Sequence, residues 1–260
     1  IINDFSNGSL KKIPLEIWPI EKHVEAFRYI AQARHIGKLV INQSIQKKPI
    51  FISPASSYLI TGAFGAIGIE LIHWLVDQGA TSLILVSRSI DKPTPESIDA
   101  IRFLENKKID YYLISYDLSL TALTTSTNDS LFSKIMNLPL NKKYLVGIFH
   151  CAGVISDAPL SNLNNQYIEP VFNSKVNGWM NLESLASNLE EVKFIVGFSS
   201  IASLLGSPGQ AAYAAANGAI DAFCSESRDE IVRLSIQWVP WSGAGMAFGK
   251  RKRFNSVGIG

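Results

Sequence analysis

Six runs rich in Ile, Val, Leu and Phe recur along this chain, and they limit the folds open to it: "YLITG" at 58, "LILVS" at 83, "YYLIS" at 111, "LVGIFH" at 145, "FIVGFS" at 194 and "RLSIQWV" at 233. Each has the length of a strand and is apolar throughout instead of alternating, the pattern of strands covered on both faces. Between them, apolar residues three and four apart mark helices, for instance over 67–78, 170–189 and 211–231. Strand and helix in alternation require right-handed crossovers back to one sheet. The expected fold class is therefore α/β, with a doubly wound parallel sheet.

With 260 residues, 47% of them hydrophobic, the chain can bury one large core, or one domain plus a fragment of another. No apolar run approaches the roughly 18 residues of a membrane span, and the N-terminus lacks a signal-peptide pattern, so no membrane partner is expected. The formal charge is +2, from 24 Lys and Arg against 22 Asp and Glu, which gives no reason to expect nucleic acid either. The run "KRKR" at 250–253 has no interleaved aromatics and reads as a solvated tail. Cys151 and Cys224 each lie in an apolar segment. Neither a disulfide framework nor a metal site is indicated, and the cytoplasm is the expected compartment.

The first fifty residues stand outside the strand and helix series. "EKHVEAFRYIAQARHIGKLVIN" reads as an amphipathic helix, a Gly turn and a strand, and "QSIQKKPIFISPASS" as a polar, Pro-containing linker. The segment "IPLEIWPIEKHVEAFRYIAQARHIGKLVI" resembles the C-terminal end of the medium-chain reductase family, as found in the enoylreductase domains of multidomain synthases. That resemblance implies three parts: residues 1–42 as such a tail, 43–56 as linker, and 57–260 as the main domain, cut short at its C-terminal end. An ordinary N-terminal helix packed on the main sheet is the other reading the pattern allows.

"YLITGAFGAIGIELIHWL" sets Gly62, Gly65 and Gly68 between a strand and a helix. Glycines there let the backbone turn sharply and bring amide N–H groups and the positive helix end against a pyrophosphate. The three-and-three spacing resembles the short-chain dehydrogenase/reductase family, one branch of which reads T-G-x-x-G-x-x-G. The resemblance implies a Rossmann-like sheet and a nicotinamide cofactor held by Thr61, Gly62, Phe64, Gly65, Ile67 and Gly68. In "LILVSRS", Ser87 and Arg88 occupy the place where a carboxylate would select NAD. Arg88 can pair with a 2'-phosphate, which favours NADPH. Asp117 and Leu118 in "SYDLS" fall where the family meets adenine. "HCAGV" at 150 resembles its N-A-G segment beneath the cofactor, which gives Cys151, Ala152 and Gly153, with His150 as a packed strand-end residue. Pro240 and Trp241 in "VPWSGAGM" at 239–246 would close over the carboxamide.

"GSPGQAAYAAANGAIDAF" clears bulky side chains from around Tyr213 and places Asn217 one helical turn later. A free phenol of pKa about 10 is a sluggish proton donor near neutral pH. Most of the family sets a lysine where Asn217 stands. Here Lys175, in "PVFNSKVNGWMNLESLA", occupies the place of the family's asparagine, so the two have exchanged positions. With "FSSIASLLGSPGQAAYAAANGAIDAF" and "VPWSGAGMA", this swap resembles the ketoreductase domain of modular polyketide synthases and animal-type fatty acid synthases.

That resemblance, over about Ser57 to Ala247, implies hydride transfer from NADPH to the β-carbon of a 3-oxoacyl thioester carried by the phosphopantetheine of an acyl carrier protein, among the other domains of the same synthase. Tyr213 would donate the proton and Ser200 would hydrogen-bond the carbonyl oxygen, Ser200 being preferred over Ser199 by its distance from the tyrosine. Lys175 would lower the phenol pKa and hold the ribose, and Asn217 would support a water that refills the proton. A silent ketoreductase scaffold and a free-standing dehydrogenase of another ketone are the alternatives. In "HCAGVISDAPL", Asp157 matches the second acid of a signature for the D-hydroxy product, and Gly197 stands where a tryptophan would mark the L product. Asp157 is thus expected to orient substrate.

Overall fold

The computed structural model describes residues 13–42, 50–119, 130–140, 144–226 and 230–241. Two units divide the chain, Ile1–Pro49 and Ile50–Gly260. In the first, strand β1 (Leu15–Pro19) is followed by helix α1 (His23–Ala31) and strand β2 (Lys38–Asn42), and the strands pair in parallel from Leu15 with Lys38 to Pro19 with Asn42. The anticipated Gly turn is Gly37, whose φ is +94° and whose added Cβ would fall 2.1 Å from the Pro14 carbonyl oxygen, so only glycine fits. Trp18 packs on Tyr29 with ring centroids 5.6 Å apart. Among the described residues of this unit only Ala26 is buried, while Leu15, Ile17, Phe27 and Ile36 are exposed. Two strands and one helix with no core of their own are marginal in water.

The second unit contains all six anticipated strands. They are β3 (Ser56–Thr61), β4 (Ser82–Ser87), β5 (Asp110–Ser115), β6 (Tyr144–His150), β7 (Phe194–Ser200) and β8 (Val232–Trp238). Helices α2 (Ala66–Asp77), α3 (Pro95–Asn106), α4 (Leu131–Met136), α5 (Asn165–Phe172), α6 (Gly178–Ser187), α7 (Ala202–Leu205) and α8 (Ala211–Ser225) lie between them, and a π-helical turn (Asn173–Asn177) joins α5 to α6. Every neighbouring pair in the sheet is parallel and the order is β5-β4-β3-β6-β7-β8. This is the doubly wound fold expected of the strand pattern. The order in which the chain adds strands reverses between β3 and β6, outward to β5 on one side and to β8 on the other, which opens a crevice beyond their C-terminal ends.

Both faces of the sheet are covered, as continuously apolar strands require. Leu59, Ile84, Ile148 and Ile195 face a layer with Trp179, Leu182 and Ile220, while their chain neighbours Tyr58, Ile60, Leu85, Phe149 and Val196 face Ile72 and Leu75 on the other side. The edge strand β8 is tied to α6 by Arg233, whose Nε donates to Glu183 Oε1 at 2.7 Å.

Three boundaries differ from the sequence reading. The second half of the anticipated linker belongs to the second unit: Ile50 and Ile52 pack on its core, and the Ser53 backbone N–H donates to the Tyr58 hydroxyl at 2.6 Å. The helix expected from Pro170 starts earlier, at Asn165, because the Asn164 side chain caps it by accepting from the Gln166 N–H at 2.9 Å. Pro170 lies inside that helix. The helix expected over 211–231 ends at Ser225. Linker residues 43–49, the segment 242–246 and the basic run at 250–253 lie outside the described residues.

Candidate active site

The strand-to-helix turn after β3 is built for close approach. Gly62 has φ +64°, and an added Cβ would lie 2.8 Å from the Ala152 backbone; at Gly68 it would lie 2.4 Å from the Gly62 oxygen. Gly65 caps α2, and its N–H donates to the Gly62 carbonyl at 3.0 Å, which leaves the first helical N–H groups, those of Ala66, Ile67 and Gly68, at the open end. Beyond the C-terminal ends of β3, β4 and β6 lies a groove of about 150 Å³, whose walls include Gly62, Ser87, Arg88, Asp117, Leu118, Ala152 and Gly153. Arg88 is exposed on this wall. The Asp117 carboxylate accepts from the Ser119 N–H at 2.9 Å, and the Leu118 carbonyl accepts from Asn181 Nδ2 at 2.8 Å.

Four other residues anticipated for this site do not line the groove. Phe64 lines a separate cavity of about 300 Å³ with Ile90, Ile98, Ile101 and Arg102, so its ring does not face the groove. Thr61 is fully buried, its hydroxyl 2.8 Å from His150 Nδ1. Burial pushes the Cys151 thiol up, and its backbone N–H donates to the Thr61 carbonyl at 3.2 Å. Trp241, which follows Pro240, packs edge-on against Trp238 with centroids 5.1 Å apart.

Tyr213 and Asn217 lie one turn apart on α8, and the Asn217 Nδ2 donates to the Tyr213 carbonyl at 2.8 Å. Asn217 is fully buried and its Oδ1 has no hydrogen-bond partner. Tyr213 packs beside Ala212 and Ala216, small neighbours of the kind the sequence suggested, and beside Val171. Burial raises its phenol above the ordinary value and the Asp157 carboxylate adds to the rise, while hydrogen bonds with Ser200 and Asn217 oppose it. Ser200 therefore faces the phenol. Ser199, on the other face of β7, is buried and donates to the Asn217 carbonyl at 3.3 Å.

Lys175 sits in the π turn and is 3% exposed. Its Nζ donates to the Phe198 carbonyl at 2.6 Å, and its aliphatic stem lies against Gly153, where an added Cβ would come 3.1 Å from Cε. Burial lowers the ammonium from 10.5 to about 8, with Cys151 and Asp221 opposing the fall. The Lys175 charge is directed at the β7 backbone, and burial holds the Tyr213 phenol above its ordinary value.

Asp157 is half-buried and accepts from Gln210 Nε2 at 3.1 Å, and the Ala158 N–H donates to the Gly209 carbonyl at 3.0 Å. These bonds hold the 155–159 loop beside Tyr213. The reading of Gly197 falls away. An added Cβ there would lie 2.5 Å from Ile220 and 2.9 Å from Trp179, so this position faces the core and a tryptophan on it could not reach the cleft.

Two groups here were not singled out as site residues. Asp221, one turn beyond Asn217, accepts from Ser203 at 2.5 Å, from Gln237 at 2.8 Å and from Ser235. Burial works to raise its carboxyl, and these donors together hold it below the ordinary value. Its place two turns after Tyr213 on one helix face was a usable signal. His150 is the other, and its partners are Thr61 on the neighbouring strand β3 and Lys175 in the π turn.

A doubly wound parallel sheet, a glycine turn at its switch point and a Ser, Tyr and Lys gathered at the ends of β6 and β7 define the short-chain dehydrogenase/reductase class. Within that class the chain belongs to the KR domain family, whose match covers residues 56–243. It is 31% identical over 243 residues to the spectinabilin polyketide synthase system protein NorB of Streptomyces orinoci, which is 93% of this chain and 10% of that protein. Against the 6-methylsalicylic acid synthase of Aspergillus niger it is 34% identical over 211 residues, 76% of this chain and 11% of the synthase. The chain thus spans about a tenth of these relatives. Among solved structures, A-type ketoreductases from a modular polyketide synthase match with TM-score 0.69 and 29% identity over 79% of this chain and 42% of that chain.

Proposed function

We propose that the second unit reduces a β-ketoacyl thioester to the β-hydroxyacyl thioester with NADPH, acting on substrate tethered to the phosphopantetheine of an acyl carrier protein within a cytoplasmic polyketide or fatty acid synthase. The observation that carries this reading is that Ser200 and Asn217 bond to Tyr213, while Lys175 lies against Gly153, which shares a groove wall with Gly62 and Arg88. The groove fits a dinucleotide: glycine is required at Gly62 by φ and by the Ala152 backbone, and Arg88 offers a bidentate partner for a 2'-phosphate.

A bound reduced nicotinamide would supply the hydride. Tyr213, kept protonated by burial, would give its proton to the ketone oxygen, and Ser200 would donate a hydrogen bond to the same oxygen as charge develops on it. Lys175 would carry its charge at neutral pH beneath the Ala152–Gly153 segment, where ribose hydroxyls come within reach. The unpartnered Asn217 Oδ1 is an acceptor for a water that returns the proton to the phenol. Incubation of the purified chain with NADPH and a diffusible β-ketoacyl thioester tests the reading by mass spectrometry. The β-hydroxyacyl thioester is the expected product; NADPH that binds but is not consumed would overturn the proposal.

A further inference from the structure

His150 ends β6 and is completely buried, yet it is polar and sits between two residues of the site. Its Nε2 lies 3.0 Å from the Lys175 carbonyl oxygen, and its Nδ1 lies 2.8 Å from the Thr61 hydroxyl. A carbonyl can only accept, so Nε2 carries the ring proton. Burial first, and then the Lys175 charge, lower the imidazolium pKa to about 3, so the ring is neutral and Nδ1 accepts from the Thr61 O–H. The Thr61 oxygen in turn accepts from the Ala152 N–H at 3.4 Å. The result is one directed chain: Ala152 N–H to Thr61, Thr61 O–H to His150, and His150 N–H to the Lys175 carbonyl.

Each end of this chain meets a feature that ordinary packing does not call for. At one end the helix departs from α geometry in the Asn173–Asn177 π turn, the turn that holds Lys175. Gly178, whose N–H donates to the Asn173 and Lys175 carbonyls, closes that turn, and a Cβ on it would lie 2.9 Å from His150 Cε1. The imidazole thus requires glycine at 178 and takes the side-chain space there. At the other end, Thr61 precedes the glycine turn, and Ala152 and Gly153 form the groove wall against which Lys175 lies.

We propose that His150 is a positioning residue for the ketoreductase reaction: it holds the π turn in register with the glycine turn and the Ala152–Gly153 wall, and so sets where the Lys175 ammonium stands relative to the cofactor groove. The proposal rests on the proposed reaction only for its turnover arm. His150→Phe keeps an aromatic ring of suitable size and apolarity but removes both hydrogen bonds. His150→Gln packs less well, yet it keeps an amide N–H for the Lys175 carbonyl and an acceptor for Thr61. A residue that only fills space ranks Phe above Gln, and a positioning residue ranks Gln above Phe.

Two readouts in the full chain carry the test. The first is amide hydrogen exchange over residues 173–178, which needs no turnover. Exchange should be faster in His150→Phe than in His150→Gln, even where the Phe variant melts at the higher temperature. The second is steady-state kinetics with NADPH and a β-ketoacyl thioester. In His150→Phe, kcat should fall about 100-fold with a smaller change in the KM for NADPH, as displacement of a catalytic group by about 1 Å does, and His150→Gln should recover most of that loss. Phe-variant exchange and kcat equal to or better than those of the Gln variant would overturn the proposal. If the parent shows no turnover, the reaction assigned above fails, while the exchange ranking still decides the role of His150.

Discussion

Lys175→Met removes a buried ammonium, and the structure gives the size and sign of the effect. Burial lowers this group from 10.5 to about 8, which corresponds to about 3 kcal/mol of destabilisation of the folded state wherever the lysine is protonated in both states. Methionine has nearly the same length and leaves the Phe198 carbonyl without its donor, a loss of about 1 kcal/mol. The net expectation is a gain of about 2 kcal/mol at pH 7, or about 4–8 °C in Tm for a unit of this size, together with loss of turnover. Between pH 8 and 10.5 the unfolded chain holds this proton and the folded chain releases it, so the parent gains stability as pH rises through that window. The variant lacks this contribution, and the gap between the two should narrow over the same range. Urea unfolding of both proteins at pH 7, 8.5 and 10 reads this directly. A variant no more stable than the parent at pH 7, or a gap that does not narrow as pH rises, would refute the reasoning.

The proposed cofactor choice is tested at Arg88 and the proposed product hand at Asp157. Arg88→Asp should reduce the NADPH preference over NADH about tenfold or more, because an exposed carboxylate on that wall repels a 2'-phosphate and accepts from ribose hydroxyls; kcat/KM with each cofactor measures it, and an unchanged ratio would count against Arg88. With Asp157 held beside Tyr213 by Gln210, the β-hydroxy product should be predominantly of the D configuration, and chiral chromatography of the alcohol checks this. A predominantly L product would remove Asp157 as the orienting residue.

The sheet was legible because burial on both faces leaves an unmistakable mark: β3 is buried at all of its positions from Ser56 to Thr61, and its sequence is apolar at the three positions Tyr58, Leu59 and Ile60. The glycine turn was legible for the same kind of reason, since φ at Gly62 and the lack of room at Gly68 admit no other residue. Side-chain direction was not. Phe64 sits within the glycine motif but turns into a different cavity, and Gly197 counts correctly from Ser200 yet faces the core, because neighbours on β7 alternate sides. Partners brought together by folding were equally hidden. His150 and Lys175 are 25 residues apart, and nothing local to either predicts the bond between them. The π turn belongs to the same group, since Pro170 in a helical pattern suggests a start and the structure instead carries the helix through it.

Tyr213→Phe bears most directly on the central claim, that this phenol is the proton donor for carbonyl reduction. The ring keeps its packing against Ala212, Ala216 and Val171, and only the hydroxyl beside Ser200 is lost. Turnover of a β-ketoacyl thioester should fall by about 100-fold or more, the range ascribed to general acid catalysis, while the Kd for NADPH stays within about threefold of the parent. Turnover within a factor of about three of the parent would contradict the account.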